Sequence, residues 1–125
     1  MKKKILVVDD EKNVTQFLKS YLEDTGRYAV MAENSGLAAQ ETARSFKPDL
    51  MILDIMMKDL GGDSLADRMR NDPQLHQTPI IFLTGIVTKD EVEANGGIIG
   101  GYPYVAKPIL AMKELINCIE THIPK

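Results

Sequence analysis

Three short, wholly apolar runs punctuate the chain: Ile5–Val8, Leu50–Leu53 and Ile80–Leu83. Each is bounded by polar residues. Runs of this length suit strands buried on both faces, as in a parallel sheet. Tyr28–Glu33 is a weaker candidate strand. Tyr102–Ala106 is weaker still, because Pro103 cannot donate to a ladder and suggests an edge position.

Helical spacing fills the gaps. Val14, Phe17, Leu18, Tyr21 and Leu22 recur at i, i+3, i+4 and predict one apolar stripe, with Gly26 as the stop. Asn13 with Gln16 reads as a capping box at its start. Gly36–Phe46 is alanine-rich and ends before Pro48. Gly62–Asn71 carries Leu65 and Met69 on one face. Leu115, Ile116, Ile119 and Ile123 form the stripe of the last helix. Between Thr88 and Gly101 the pattern is poor: Asp90–Ala94 supports a turn or two, and Gly96, Gly97, Gly100 and Gly101 oppose a long helix.

Strand and helix alternate, the βαβ rhythm of a parallel sheet. The predicted fold is α/β, a single doubly wound five-stranded sheet of order 2-1-3-4-5 with helices on both faces and a poorly encoded fourth helix. The length of 125 residues and 44% apolar content fit one domain with one core, needing no metal or disulfide staple.

Charge and cysteine content narrow the function. The net charge is −3, and Lys2, Lys3 and Lys4 form the one basic run, so nucleic-acid binding is not expected. Cys118 is the sole cysteine, which rules out an internal disulfide and fits a reduced, cytoplasmic setting. Cys118, His76 and His122 lack zinc-ligand spacing. No apolar run is long enough to span a membrane, and the start is too short for a signal peptide.

In a doubly wound sheet, ligands bind beyond the carboxyl ends of the strands, where the strand order reverses. Asp9, Asp10 and Glu11 follow the first strand, Asp54 the third, Thr84 the fourth and Lys107 the fifth. Singly, Asp9 reads as a helix cap, Thr84 as a turn hydroxyl and Lys107 as a solvated lysine. Four such residues at matched positions make a stronger case together. Crowded carboxylates need compensation, which a hard divalent cation such as Mg²⁺ supplies. A carboxylate can also act as a nucleophile toward phosphorus, with metal and ammonium neutralising the phosphoryl oxygens.

The segments Ile5-Leu6-Val7-Val8-Asp9-Asp10-Glu11, Pro48-Asp49-Leu50-Met51-Ile52-Leu53-Asp54, Pro79-Ile80-Ile81-Phe82-Leu83-Thr84-Gly85 and Tyr104-Val105-Ala106-Lys107-Pro108 resemble, in order and spacing, the signatures of response regulator receiver domains of two-component systems. The resemblance covers nearly the whole chain. It implies that Asp54 is the phosphoacceptor. Asp10, Asp54 and the backbone carbonyl of Met56 would hold Mg²⁺, for which Mn²⁺ can substitute, and Asp9 would orient its waters. It further implies that Lys107 pairs with the phosphoryl group and Thr84 hydrogen-bonds it. Tyr104 would be the switch aromatic, and the peptide before Pro108 would be cis. The implied partners are a sensor histidine kinase or histidine phosphotransfer protein upstream and an unidentified protein target downstream, with a phosphorylation-dependent dimer as a further form. Residues 1–125 would then be one receiver domain with no output domain. It would not be an enzyme beyond phosphoryl transfer to, and hydrolysis from, its own aspartate.

The sequence departs from the family at several points. Lys58 stands where proline is common, which predicts a less rigid loop. Met56 and Ile86 border the expected approach of the attacking water and cannot hydrogen-bond it through their side chains, which predicts a long-lived acyl phosphate. The Thr84–Lys107 segment is slightly long, Leu115 falls slightly late, and residues 95–101 are expected to be mobile. Three rivals carry less weight. An FMN carrier needs a phosphate-cradling loop where Asp9-Asp10-Glu11 stands. An aspartyl phosphatase needs a second acid where Met56 stands. A degenerate receiver, acting as a phosphorylation-independent interaction module, would lack part of the rim.

Overall fold

A computed structural model of the chain describes residues 2–84, 98–99, 101–106 and 112–124. The elements are β1 (Lys3–Val8), α1 (Lys12–Asp24), β2 (Tyr28–Glu33), α2 (Gly36–Phe46), β3 (Leu50–Asp54), α3 (Gly62–Arg70), β4 (Ile80–Thr84), β5 (Ile98–Ile99), β6 (Tyr102–Ala106) and α4 (Met112–His122). Five strands run parallel in the order β2-β1-β3-β4-β6, as the strand and helix rhythm predicts.

The apolar runs explain the layering. Alternate residues of a strand point to opposite faces. Ile5 and Val7 of β1, with Ile52, Ile81 and Leu83, pack against Leu18 and Leu22 of α1 and Leu115 and Ile119 of α4. Leu6 and Val8, with Met51, Leu53 and Phe82, pack against Ala39 and Ala43 of α2 and Leu65 and Met69 of α3. A run apolar at every position therefore feeds two cores at once. β3 and β4 are buried along their whole length.

The α1 stripe is narrower than its spacing predicts. Leu18 and Leu22 are fully buried, but Phe17 and Tyr21 are 55% and 40% exposed and touch each other at 6.2 Å between ring centroids. Thr15 is buried in their place, its hydroxyl donating to the Lys12 carbonyl and accepting from the Asn34 amide. The Asn13 capping box does not form either. The N-cap is Glu11, with no side-chain cap bond. The chain turns earlier because the Asp9 carboxylate accepts the Glu11 N–H at 3.0 Å, and the Glu11 carbonyl accepts from Val14 and Thr15.

β6 is not the edge of the sheet. Ile98 and Ile99 pair antiparallel with Pro103 and Tyr102 in a two-residue hairpin, with Gly101 at φ 85°. Such a loop needs a residue that tolerates positive φ. Pro103 faces Ile98 across this short antiparallel ladder, so proline sits here between two strands and not at an edge. The other residues between Thr88 and Gly101, and with them most of the segment expected to be mobile, lie outside the described residues.

The open edge at β2 is guarded from α1. Glu23 Oε2 accepts the Val30 N–H at 3.2 Å, and Lys19 Nζ donates to the Val30 carbonyl at 2.8 Å. Lys19 and Glu23 also pair with each other at 3.1 Å. The Val30 N–H, then Lys19, hold the Glu23 carboxyl below its ordinary range.

The split stripe has a measurable signature. Leu18→Ala, which opens a cavity in the core, is expected to cost about 2–5 kcal/mol in urea unfolding. Phe17→Ala, at an exposed position, is expected to stay within about 0.5 kcal/mol of the parent.

Candidate functional site

Strand register gathers the polar rim. Val8 pairs with Leu53, so Asp9 and Asp54 leave the sheet at the same level on neighbouring strands. Asp54 pairs with Leu83, which puts Thr84 one residue further along the next strand. Thr84 in turn pairs with Ala106, the last residue of β6. The rim is therefore built from strand ends that the buried apolar runs hold in place.

Asp9, Asp10 and Asp54 each bring a carboxylate oxygen to within 4.8 Å of the others. Asp9 is fully buried and Asp54 is 4% exposed, whereas Asp10 is half-buried. Asp9 is held by the Glu11 N–H, and its backbone carbonyl accepts from Asn34 Nδ2 at 2.8 Å. Asp10 Oδ2 accepts the Lys58 N–H at 3.2 Å. Three carboxylates this close repel one another unless a cation offsets their charge. Their all-oxygen donor set suits a hard divalent cation. Asp9, Asp10 and Asp54 are thus the residues that could hold Mg²⁺. Met56 lies beside them, lining an open groove with Asp10, Glu11 and Lys58.

The loop joining β3 to α3 is tied down on several sides. The Gly62 N–H donates to the Ile55 carbonyl at 2.9 Å. A Cβ on Gly62 would overlap the Asp54 carbonyl oxygen, so only glycine lets α3 begin this close to Asp54. The Asp59 carboxylate reaches across to the start of α2. Its Oδ2 accepts from the Ser35 hydroxyl at 2.7 Å and the Leu37 N–H at 3.2 Å, and its Oδ1 accepts the Gly36 N–H at 3.1 Å. These donors, the Ser35 hydroxyl first, hold the Asp59 carboxyl down at about 2. Lys58 stands where a proline would lack the N–H that reaches Asp10, so the loop expected to be loose carries a tether that proline could not make.

Thr84 is fully buried at the end of β4. Tyr104 is half-buried, its ring 5.1 Å from Phe82, which Tyr102 meets edge-on from 5.1 Å. Burial, followed by the Asp63 and Tyr102 charges, raises the Tyr104 hydroxyl above its ordinary value. Met56 has a 66% exposed side chain. Among the expected site residues, Asp9, Asp10 and Asp54 come together, Thr84 and Tyr104 take their places on β4 and β6, and Lys107, Pro108 and Ile86 lie outside the described residues. Reading the residues alone missed Asp59 and Gly62. The Gly61-Gly62 doublet after a buried strand was a local signal for close approach. The Asp59 contact, 24 residues from Ser35, left none.

A doubly wound sheet with three clustered carboxylates and a buried threonine beyond its carboxyl edge defines an α/β protein with an acidic rim site. The family model for the response regulator receiver domain matches residues 5–120, and the chain belongs to that family. It is 33% identical to the nisin biosynthesis regulatory protein NisR of Lactococcus lactis over 98% of its length, and spans about half of that relative (51%). It is 28% identical to the polar-differentiation response regulator DivK of Brucella ovis, with 98% of both chains covered. A probable cyclic di-GMP phosphodiesterase of Vibrio cholerae matches at 32% identity, with only 26% of that protein covered. Among solved structures, the chemotaxis protein CheY4 of Vibrio cholerae superposes with a TM-score of 0.81 at 26% identity, covering 97% of this chain and 98% of that one. The BeF3-activated receiver domain of Klebsiella pneumoniae RstA gives 0.80 at 27% identity, covering 98% and 100%. No helix among the described residues is long and apolar enough to cross a membrane.

The Asp59 contacts predict a pH response. Its carboxyl is depressed from 3.8 to about 2, so the tie contributes stability above the ordinary value and loses it as pH falls toward the folded one. The amide proton resonances of Gly36 and Leu37 should titrate together with a midpoint near 2. A midpoint at 3.8 would mean that the carboxylate gains nothing from the helix start.

Proposed function

We propose that this receiver domain is a phosphorylation switch, with Asp54 accepting a phosphoryl group in a Mg²⁺-dependent reaction. The observation that carries the reading is the meeting of Asp9, Asp10 and Asp54 within 4.8 Å beyond the sheet. In the transfer, an Asp54 carboxylate oxygen bonds to phosphorus while the phosphorus–nitrogen bond to a donor histidine breaks. The imidazole leaves with that electron pair and takes up a proton. Asp10, Asp54 and the Met56 carbonyl would hold Mg²⁺, with Asp9 orienting its waters, and the ion would supply positive charge to the transferring oxygens. Lys107 supplies a second positive charge and Thr84 a hydroxyl donor. The donor is a sensor histidine kinase or a histidine phosphotransfer protein, and the output passes to a protein target.

The switch rests on differential interaction. Phosphorylation adds about −1.5 to −2 charges at the rim. It favours whichever arrangement of the Thr84 and Lys107 segments best meets the new oxygens. Tyr104 is suited to carry the change, because its half-buried ring rests on Phe82, two residues from Thr84 on the same strand. The protein turns over no external substrate in this reading.

Incubation with acetyl phosphate and Mg²⁺ should add one phosphoryl group by intact mass. The adduct should be missing in Asp54→Asn and in EDTA. Its appearance in Asp54→Asn would move the acceptor elsewhere, and its absence throughout would favour a phosphorylation-independent interaction module.

The exposed Met56 side chain and Ile86 offer no side-chain hydrogen bond to an attacking water. The acyl phosphate is therefore expected to outlast that of a Met56→Asn variant after the donor is removed. Equal or faster loss from the parent would show that these positions do not set the lifetime.

A further inference from the structure

The two residues at the middle of the β3–α3 loop face opposite ways. The Lys58 N–H holds Asp10 Oδ2, one of the three clustered acids. The Asp59 carboxylate, next along the chain, holds the start of α2 through the Ser35 hydroxyl and the Gly36 and Leu37 N–H groups. Asp59 Oδ1 also accepts its neighbour's N–H, from Leu60, at 2.8 Å. Gly36 presses on this loop so closely that a Cβ there would lie 2.6 Å from the Leu60 carbonyl oxygen. The loop and α2 are thus locked by hydrogen bonds and by steric contact. The remaining cap bond of α2, Ser35 Oγ accepting the Ala38 N–H at 3.2 Å, uses the same hydroxyl that donates to Asp59.

We propose that Asp59 is a positioning residue for the acidic site, buckling the metal-bearing loop to the first turn of α2 so that cation binding at Asp10 and order at Ser35–Leu37 are coupled. The inference rests on the Mg²⁺ reading given above. Its physical basis is rigidity: a backbone that presents the Met56 carbonyl and orients Asp10 through the Lys58 N–H must itself be held. Asp59 fixes that backbone to a helix packed on the sheet through Ala39 and Ala43. Without the buckle the loop samples other arrangements, and the site is competent for only part of the time. Coupling of this kind is reciprocal, so the cation must also steady the helix start.

Calorimetric titration with Mg²⁺ alone, paired with amide exchange, separates the outcomes. Asp59→Ala should weaken Mg²⁺ binding about fivefold or more, a typical coupling between linked sites. Ser35→Ala, which removes one of the three cross-loop bonds, should weaken it less. Ile119→Val, which weakens the opposite core where α4 packs on the sheet, should leave Mg²⁺ affinity unchanged, and this separates positioning from general loss of stability. In the parent protein, Mg²⁺ should slow exchange at Gly36 and Leu37. In Asp59→Ala that slowing should vanish although the site still binds at higher concentration. Equal affinity in Asp59→Ala and parent, or Mg²⁺-dependent protection that survives the substitution, would overturn the buckle while leaving the acidic site intact. A parent protein that binds no Mg²⁺, or binds it equally well as Asp10→Asn, would overturn the reading of the site itself and the buckle with it.

Discussion

Three negative charges drawn together at the end of a buried sheet are the constraint around which the rest of the molecule is arranged. Their mutual repulsion alone would push the strand ends that carry Asp9, Asp10 and Asp54 apart. They stay together because the strands beneath them are apolar at every position and serve two cores, so no small shift of β1 against β3 can relieve the repulsion without opening buried surface on both faces. N–H groups of Glu11 and Lys58 offset part of the charge. Burial of the strands beneath thus holds the three carboxylates together at one rim. A cation placed there meets three carboxylates that the fold has already brought together.

Much of this arrangement could be read along the chain. Ile5–Val8, Leu50–Leu53 and Ile80–Leu83 are buried in register, and their polar successors fall at one rim because a parallel sheet leaves them nowhere else to go. Gly36–Phe46 starts and stops as its composition predicts, with Lys47 in the left-handed region at φ 55° before Pro48. The failures share a cause, which is that tertiary contact outranks local pattern. Phe17 and Tyr21 satisfy helical spacing but face away from the sheet, and the short Thr15 takes the buried position because its hydroxyl meets Asn34. Asn13 and Gln16 form no box because a carboxylate from the preceding strand sets where the helix begins. Pro103 was an edge signal by its chemistry, yet the short β5 strand pairs beyond it, so β6 is not the edge.

The same contrast holds at the site. Acidic residues after apolar runs are visible without a structure, because both the run and the charge are local. The partners that hold them are not. Asp59 meets Ser35 across 24 residues, and Lys58 meets Asp10 across 48. Such contacts have no period and no spacing. They exist only once β1 and β3 lie side by side, which is why the chemistry of the rim was legible and its scaffolding was not.

The guard on β2 has a consequence for how the molecule behaves in company. A free strand edge is a template for pairing with another chain. Here the edge groups of Val30 are already satisfied by Glu23 and Lys19, so a second sheet meets a filled ladder position and a charged pair instead of open hydrogen bonds. At this position, pairing with another strand is therefore blocked while Lys19 and Glu23 hold the Val30 backbone. As Glu23 takes up its proton in acid, the ion pair with Lys19 is lost and the edge gains adhesive character. Acid is thus a condition under which this one edge position becomes open to another strand.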